Sequence, residues 1–163
     1  MTQSTLTVDI NTQAGAWQGT VPDLTAFIER ALNAAVNTVG DLPSEVEVSV
    51  LLTDDAHQQA LNAQWRGKDK PTNVLSFPAG EDEPHPGQPL LLGDISLAFE
   101  TLGREAAEQQ KSLADHLCHL LVHGMLHLLG FDHETEQDAD EMEPLEIEVL
   151  AGLGVSSPYG DRA

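Results

Sequence analysis

Basic side chains are what this sequence lacks most: 7 lysines and arginines stand against 27 aspartates and glutamates, for a formal net charge of −20. Such a surface repels polyanions at long range and excludes indiscriminate binding of nucleic acid. It does not exclude a local site, because charge is screened beyond about 10 Å at ordinary salt and a few clustered bases can still hold a phosphate. Cysteine is almost absent. The single Cys118 rules out an internal disulfide, fits a reducing compartment and lies in a leucine-rich stretch that reads as helix packing. No basic n-region, membrane-length apolar run, repeat or low-complexity tract is visible, so a cytoplasmic protein with no membrane partner is expected. The length, 163 residues, fits one domain spanning residues 1–163.

The chemistry concentrates in His123-Gly-Met-Leu-His127-Leu-Leu-Gly130-Phe-Asp-His133. On a helix the first two imidazoles stand one turn apart on one face. Gly130 is placed to end that helix in a left-handed turn that brings His133 back over the same face. Three imidazoles suit one Zn²⁺ with an open fourth position, and the offsets resemble the elongated zincin motif. The residue after the first ligand, the glutamate base of zinc peptidases, is Gly124 here. His116 and His119 continue the stripe toward the N-terminus; they read as hydrogen-bonding residues or as lining the approach, not as ligands.

Alternation at Leu6, Val8 and Ile10 predicts a strand over 4–10, and Val46, Val48 and Val50 a second one. Between them Leu24, Phe27, Ile28, Ala31, Leu32 and Ala35 keep helical spacing, with Pro22-Asp23 in the first turn and Gly40 beyond the end. A helix over 54–65 is predicted to turn Ala60, Leu61 and Trp65 inward and to close at Gly67. The segment Arg66-Gly-Lys68-Asp-Lys70 then holds three of the seven bases, and reads either as a solvated loop before a strand at 74–77 or as a phosphate clamp. His85, in the Pro/Gly/acid loop 78–89, reads as a surface residue.

Residues 90–99 read as a strand in which Gly93 marks a bulge or a close backbone approach, and Asp94 either orients a metal ligand or stabilises a turn. Helix is predicted over 101–129, restarting where Ser112 and Asp115 form a capping box. The eight acids between 134 and 148 read as the solvated face of an amphipathic helix that Pro144 kinks or restarts, and not as a cation site. This order predicts an α+β fold: a small mixed β-sheet packed by helices, with the metal-binding helix central.

Arg66 to Pro78, Leu92-Gly-Asp-Ile95 and His123 to His133 together resemble the YbeY family of bacterial ribosomal RNA maturation factors, in order and over nearly the whole chain. The resemblance implies a zinc-dependent, single-strand-specific endoribonuclease acting in 16S rRNA 3′-end maturation and 70S ribosome quality control. Single-stranded RNA, 16S rRNA and the ribosome would be its partners. It further implies one Zn²⁺ per chain on His123, His127 and His133, and a functional arginine at Arg66. In the clamp reading Lys68 and Lys70 are the substrate-binding bases beside it. Asn73 stands where many members carry Asp, which would weaken an ion pair near the clamp, and Phe131 where Tyr is frequent. The general base stays open among Asp94, Asp132, a non-ligand histidine and metal hydroxide, as does attack by water or by the RNA's own 2′-OH. A zinc peptidase or amidohydrolase, or a non-catalytic assembly factor with a structural zinc, are the alternatives.

Overall fold

The computed structural model describes residues 5–40, 42–79, 88–131 and 135–158. Four strands, β1 (Thr5–Thr12), β2 (Glu45–Thr53), β3 (Val74–Pro78) and β4 (Leu90–Ala98), form one sheet in the order β1-β2-β4-β3. The first two pairings are parallel and β3 runs antiparallel to β4, so the sheet is mixed, as expected for the α+β class. Helix α1 (Leu24–Val39) crosses from β1 to β2, held at its ends by the Asp23 side chain and by Gly40. Helices α2 (Asp55–Arg66), α3 (Phe99–Glu108), α4 (Leu113–Leu128) and α5 (Glu136–Gly152) complete the fold.

Helix α4 is the centre. It packs on α1, α3, α5, β3 and β4, and Leu117, Leu121, Val122, Met125 and Leu126 are fully buried along it. Cys118 belongs to the same core, and burial pushes its thiol up to about 11, so it stays protonated and unreactive. The predicted restart holds: Ser112 caps α4 by accepting from the Asp115 amide. At the other end Gly130 N–H bonds to His127 O and Phe131 N–H to Leu126 O, with Gly130 at φ 102°, a Schellman closure.

Gly93 carries both of its expected features. The β2–β4 register slips between Glu47 and Val48, leaving Leu92 as the extra residue. At φ 141° a Cβ on Gly93 would lie 2.3 Å from Phe77 O, so only glycine fits.

Three expectations need correction. Ala60 and Trp65 do not face inward; Trp65 is 64% exposed, and α2 instead buries Gln58 and Asn62. Gln58 donates to Ser96 O at 2.8 Å and accepts from the Ser96 hydroxyl, so the helix docks on β4 through polar pairing that apolar periodicity does not register. Of the two outcomes expected at Pro144, the restart does not occur: helix α5 runs through it as one element. Nor is its acidic sequence wholly a solvated face: Glu146 is fully buried.

Candidate active site

Every described residue of α4 from His116 to Leu128 is buried except His119, His123 and His127, which are partly open. Spaced by four, they form one stripe, and the stripe is one wall of a cleft of about 760 Å³. Arg66, Lys68 and Lys70 line the same cleft, with Asn73, Ser76, Gly130 and Phe131. That volume lies in the range of ligand clefts, so a segment of a substrate can enter. Two motifs separated by more than fifty residues of sequence therefore meet in one site.

The base-bearing segment is pinned, not loose. Gly67 ends α2 in a left-handed turn, Lys68 N–H bonds to Asn62 O, and Asn62 Nδ2 donates to Lys70 O at 2.9 Å. The Arg66 guanidinium donates through Nη2 to Ser76 O on β3 at 3.2 Å. One of its five donors is thus used to orient the fork across the strand edge. Lys68 and Lys70 are exposed.

Behind the stripe sits the residue that sequence reasoning missed. The fully buried Glu146 carboxylate accepts from His123 Nδ1 at 2.8 Å and from His119 Nε2 at 3.1 Å. A carboxylate only accepts, so His123 carries its proton on Nδ1 and presents a bare Nε2 toward His127 Nε2, 3.0 Å away. A carboxylate behind an imidazole whose other nitrogen is bare is the usual support of a metal-binding histidine. Two imidazole nitrogens sharing a tetrahedral zinc stand roughly 3.3 Å apart, so the pair fits such an ion after a small adjustment. Ligand atoms of His119, His123 and Glu146 also come within 4.8 Å of one another, a group that could itself hold a metal ion. Its atoms, however, are already matched donor to acceptor, which favours the orienting role. His133 and Asp132 lie outside the described residues, as does His85.

Replacing Glu146 with Gln tests that role. The amide is nearly isosteric, but its NH₂ cannot accept, so one of the two histidines must present a lone pair to it and change tautomer. The expected result is a folded protein whose metal affinity falls tenfold to a hundredfold, measured by competition with a chromophoric chelator. Unchanged affinity would remove Glu146 from the site.

His116 belongs to a different network. It is 2% exposed and donates through Nε2 to Glu105 Oε1 at 2.9 Å, while no described group pairs with its Nδ1. Glu105 also accepts from Asn73 Nδ2 at 2.9 Å, and the Asn73 Oδ1 accepts from the Val74 amide. The Asn73 amide thus meets a carboxylate that an aspartate in its place would repel. Burial, opposed by Glu105, lowers the His116 pKa below its ordinary 6.5. A base made weaker by folding stabilises the protein fully above pH 6.5, and this contribution falls away as the pH drops from there toward the folded-state pKa. Between pH 6.5 and 5 the urea stability of the His116→Asn variant should fall less steeply than the parent's, by at most about 1.4 kcal/mol per pH unit. Parallel curves would place His116 outside that pH dependence.

Asp94 is removed from the site. Ile95 faces α4, since its Cγ2 lies 3.2 Å from a Cβ built on Gly124, so its neighbour Asp94 points to the opposite face of the sheet, where it is exposed. It neither orients a described metal ligand nor reaches the cleft as a base.

Comparison with known proteins agrees with this geometry. A family model described as endoribonuclease YbeY matches residues 9–154. A protein from Bradyrhizobium diazoefficiens named endoribonuclease YbeY is 53% identical over 152 residues, covering 91% of this chain and 82% of its own length. One of the same name from Paramagnetospirillum magneticum is 51% identical over 162 residues, covering 97% and 98%. The solution structure of TM1509 from Thermotoga maritima superimposes with a TM-score of 0.55 at 25% identity, over 96% of this chain and 100% of that one. On these matches, and with the histidine stripe and basic segment brought into one cleft, the chain belongs to the endoribonuclease YbeY family.

Proposed function

We propose that this chain is a metal-dependent endoribonuclease that cleaves single-stranded RNA, with 16S rRNA on the ribosome as its substrate class. The observation that carries the reading is the one cleft that Arg66, Lys68 and Lys70 line together with His123 and His127. His123 and His127 would hold one Zn²⁺, with His133, by its spacing in the sequence, as the third ligand. Zinc so bound supplies Lewis-acid stabilisation of charge on a phosphate oxygen.

The rest is the work of the chain. Glu146 fixes the His123 tautomer and keeps its ring aimed at the cleft. Arg66 offers a planar fork to the non-bridging oxygens, where charge grows during displacement at phosphorus. Lys68 and Lys70 meet flanking phosphates as mobile point charges. His119 lines the cleft with its Nε2 held by Glu146, which makes it part of the support behind His123.

The test is an assay of the purified protein on single-stranded RNA, on the matching duplex and on peptides, with metal analysis of the same sample. Cleavage confined to single strands, and near one zinc per chain, is the expected outcome. Peptide hydrolysis without RNA cleavage would transfer the site to the peptidase class, and RNA binding without cleavage to the assembly-factor class. A 2′,3′-cyclic phosphate on the products would assign the attack to the RNA's own 2′-OH.

A further inference from the structure

With three bases on the cleft wall among the described residues and a net charge of −20, phosphate contacts alone give this protein little hold on RNA. Single-strand binding has a second source, stacking of bases on aromatic rings, which is sequence-tolerant and indifferent to protein charge. Phe131 lies on the cleft wall, and a second aromatic side chain, Trp65, is exposed next to Arg66. Trp65 is 64% exposed and immediately precedes Arg66 at the end of α2. Its ring meets that of Phe77 edge-on, with centroids 6.5 Å apart and planes at 64°. Phe77 in turn lies between Ser76 and Pro78, both on the cleft wall.

The two faces of the sheet explain the layout. Val74 and Ser76 point toward α4, because both approach a Cβ built on Gly124 within 3.4 Å. Phe77 therefore points to the other face, where α2 lies. Strand β3 is the edge of the sheet, and Arg66 crosses that edge to bond Ser76 O. Trp65 therefore stands beside the Arg66 fork, next to Phe77 of the edge strand.

We propose that Trp65, braced by Phe77, is a stacking platform for an unpaired nucleobase of the RNA, a short distance along the strand from the phosphate held at Arg66. The inference rests on the endoribonuclease reading and extends it: a base can lie flat on Trp65 only when unpaired, so the platform favours single strands over duplexes.

Intrinsic fluorescence tests it cleanly. The second tryptophan, Trp17, is fully buried and donates to Thr53 O, so a change in emission caused by a bound oligonucleotide reports Trp65. Titrating the intact protein with a short oligoadenylate should quench the emission. Trp65→Ala should lose the quenching and about tenfold or more in affinity, and Trp65→Phe should recover most of the affinity. The slope of log affinity against log salt should stay unchanged in both, whereas Arg66→Ala should reduce it by about 0.7.

If the parent binds and cleaves RNA while Trp65→Ala binds equally well, the platform is overturned and the nuclease reading stands. If the parent neither binds nor cleaves RNA, both fall. Emission that responds to protein concentration and not to RNA would assign the patch to contact between copies of the chain, which also overturns the proposal.

Discussion

Alanine at His123 and alanine at Arg66 should each remove most RNA cleavage, and metal content should tell the two losses apart. His123→Ala deletes one of the two imidazole nitrogens that face each other at 3.0 Å and strips a donor from the buried Glu146. An unsatisfied buried group costs about 1–3 kcal/mol, so this variant should be less stable, bind metal poorly and cleave below detection. Arg66→Ala acts otherwise. The residue is exposed, and its truncation forfeits one hydrogen bond to a strand carbonyl, so fold and metal content should match the parent. Its loss should appear in the rate alone, as a fall of roughly a hundredfold to a thousandfold, the usual effect of removing a donor aimed at developing charge. Arg66→Lys should recover little, because an ammonium cannot reproduce the planar fork. An Arg66→Ala protein that retains its metal and cleaves at the parental rate would refute the clamp.

These expectations rest on contacts of unequal visibility in the sequence. The stripe of His119, His123 and His127 is legible because a helix repeats its face every three to four residues, and the distance between its members is set by local geometry alone. The same holds for the Gly130 closure and the Ser112 cap. Glu146 was not legible. It lies twenty-three residues beyond His123 among eight acids of similar type, and only the packing of α5 on α4 decides which of them is buried against a histidine. Nor could spacing show that Arg66 shares a cleft with His123, since that depends on β3 lying at the sheet edge between α2 and α4. Family resemblance proposed the association, and the topology supplies its physical cause. The misread face of α2 has a simpler origin. Gln58 and Asn62 are buried because each finds backbone partners, whereas apolar pattern assigns the inward face to Ala60 and Trp65.

The net charge then takes a different meaning. A strongly acidic surface would oppose any polyanion, yet the chain places three of its seven bases on one short, pinned segment beside the histidines. Repulsion elsewhere weakens unproductive contact with RNA, and the productive orientation is the one in which the cleft meets the phosphates. Added salt should consequently weaken binding only modestly, with a slope near −2 if all three bases engage a single strand.

Gly124 bears on the peptidase alternative most directly. In that class the residue after the first histidine is the glutamate base, and restoring it here should destroy the protein instead of converting it. A Cβ at this position would stand 3.2 Å from Ile95 Cγ2, 3.2 Å from Ser76 Oγ and 3.4 Å from Val74 Cγ2. Position 124 is thus pressed against β3 and β4, and the Ser76 hydroxyl donates to the Gly124 carbonyl across the contact. Gly124→Glu must insert a long side chain and a charge between helix and sheet, away from the cleft. Overpacking alone costs about 1–3 kcal/mol, and burial of an unpaired carboxylate adds several more, so a loss of about 4 kcal/mol or more is expected. Gly124→Ala separates the causes: its methyl meets only side-chain ends, and a gain in helix propensity of about 1 kcal/mol offsets the crowding. Urea melts should therefore show Gly124→Ala near the parent and Gly124→Glu largely unfolded, with no peptide hydrolysis from either. A folded Gly124→Glu protein that cleaves peptides would mean that this face of α4 is open to the site after all.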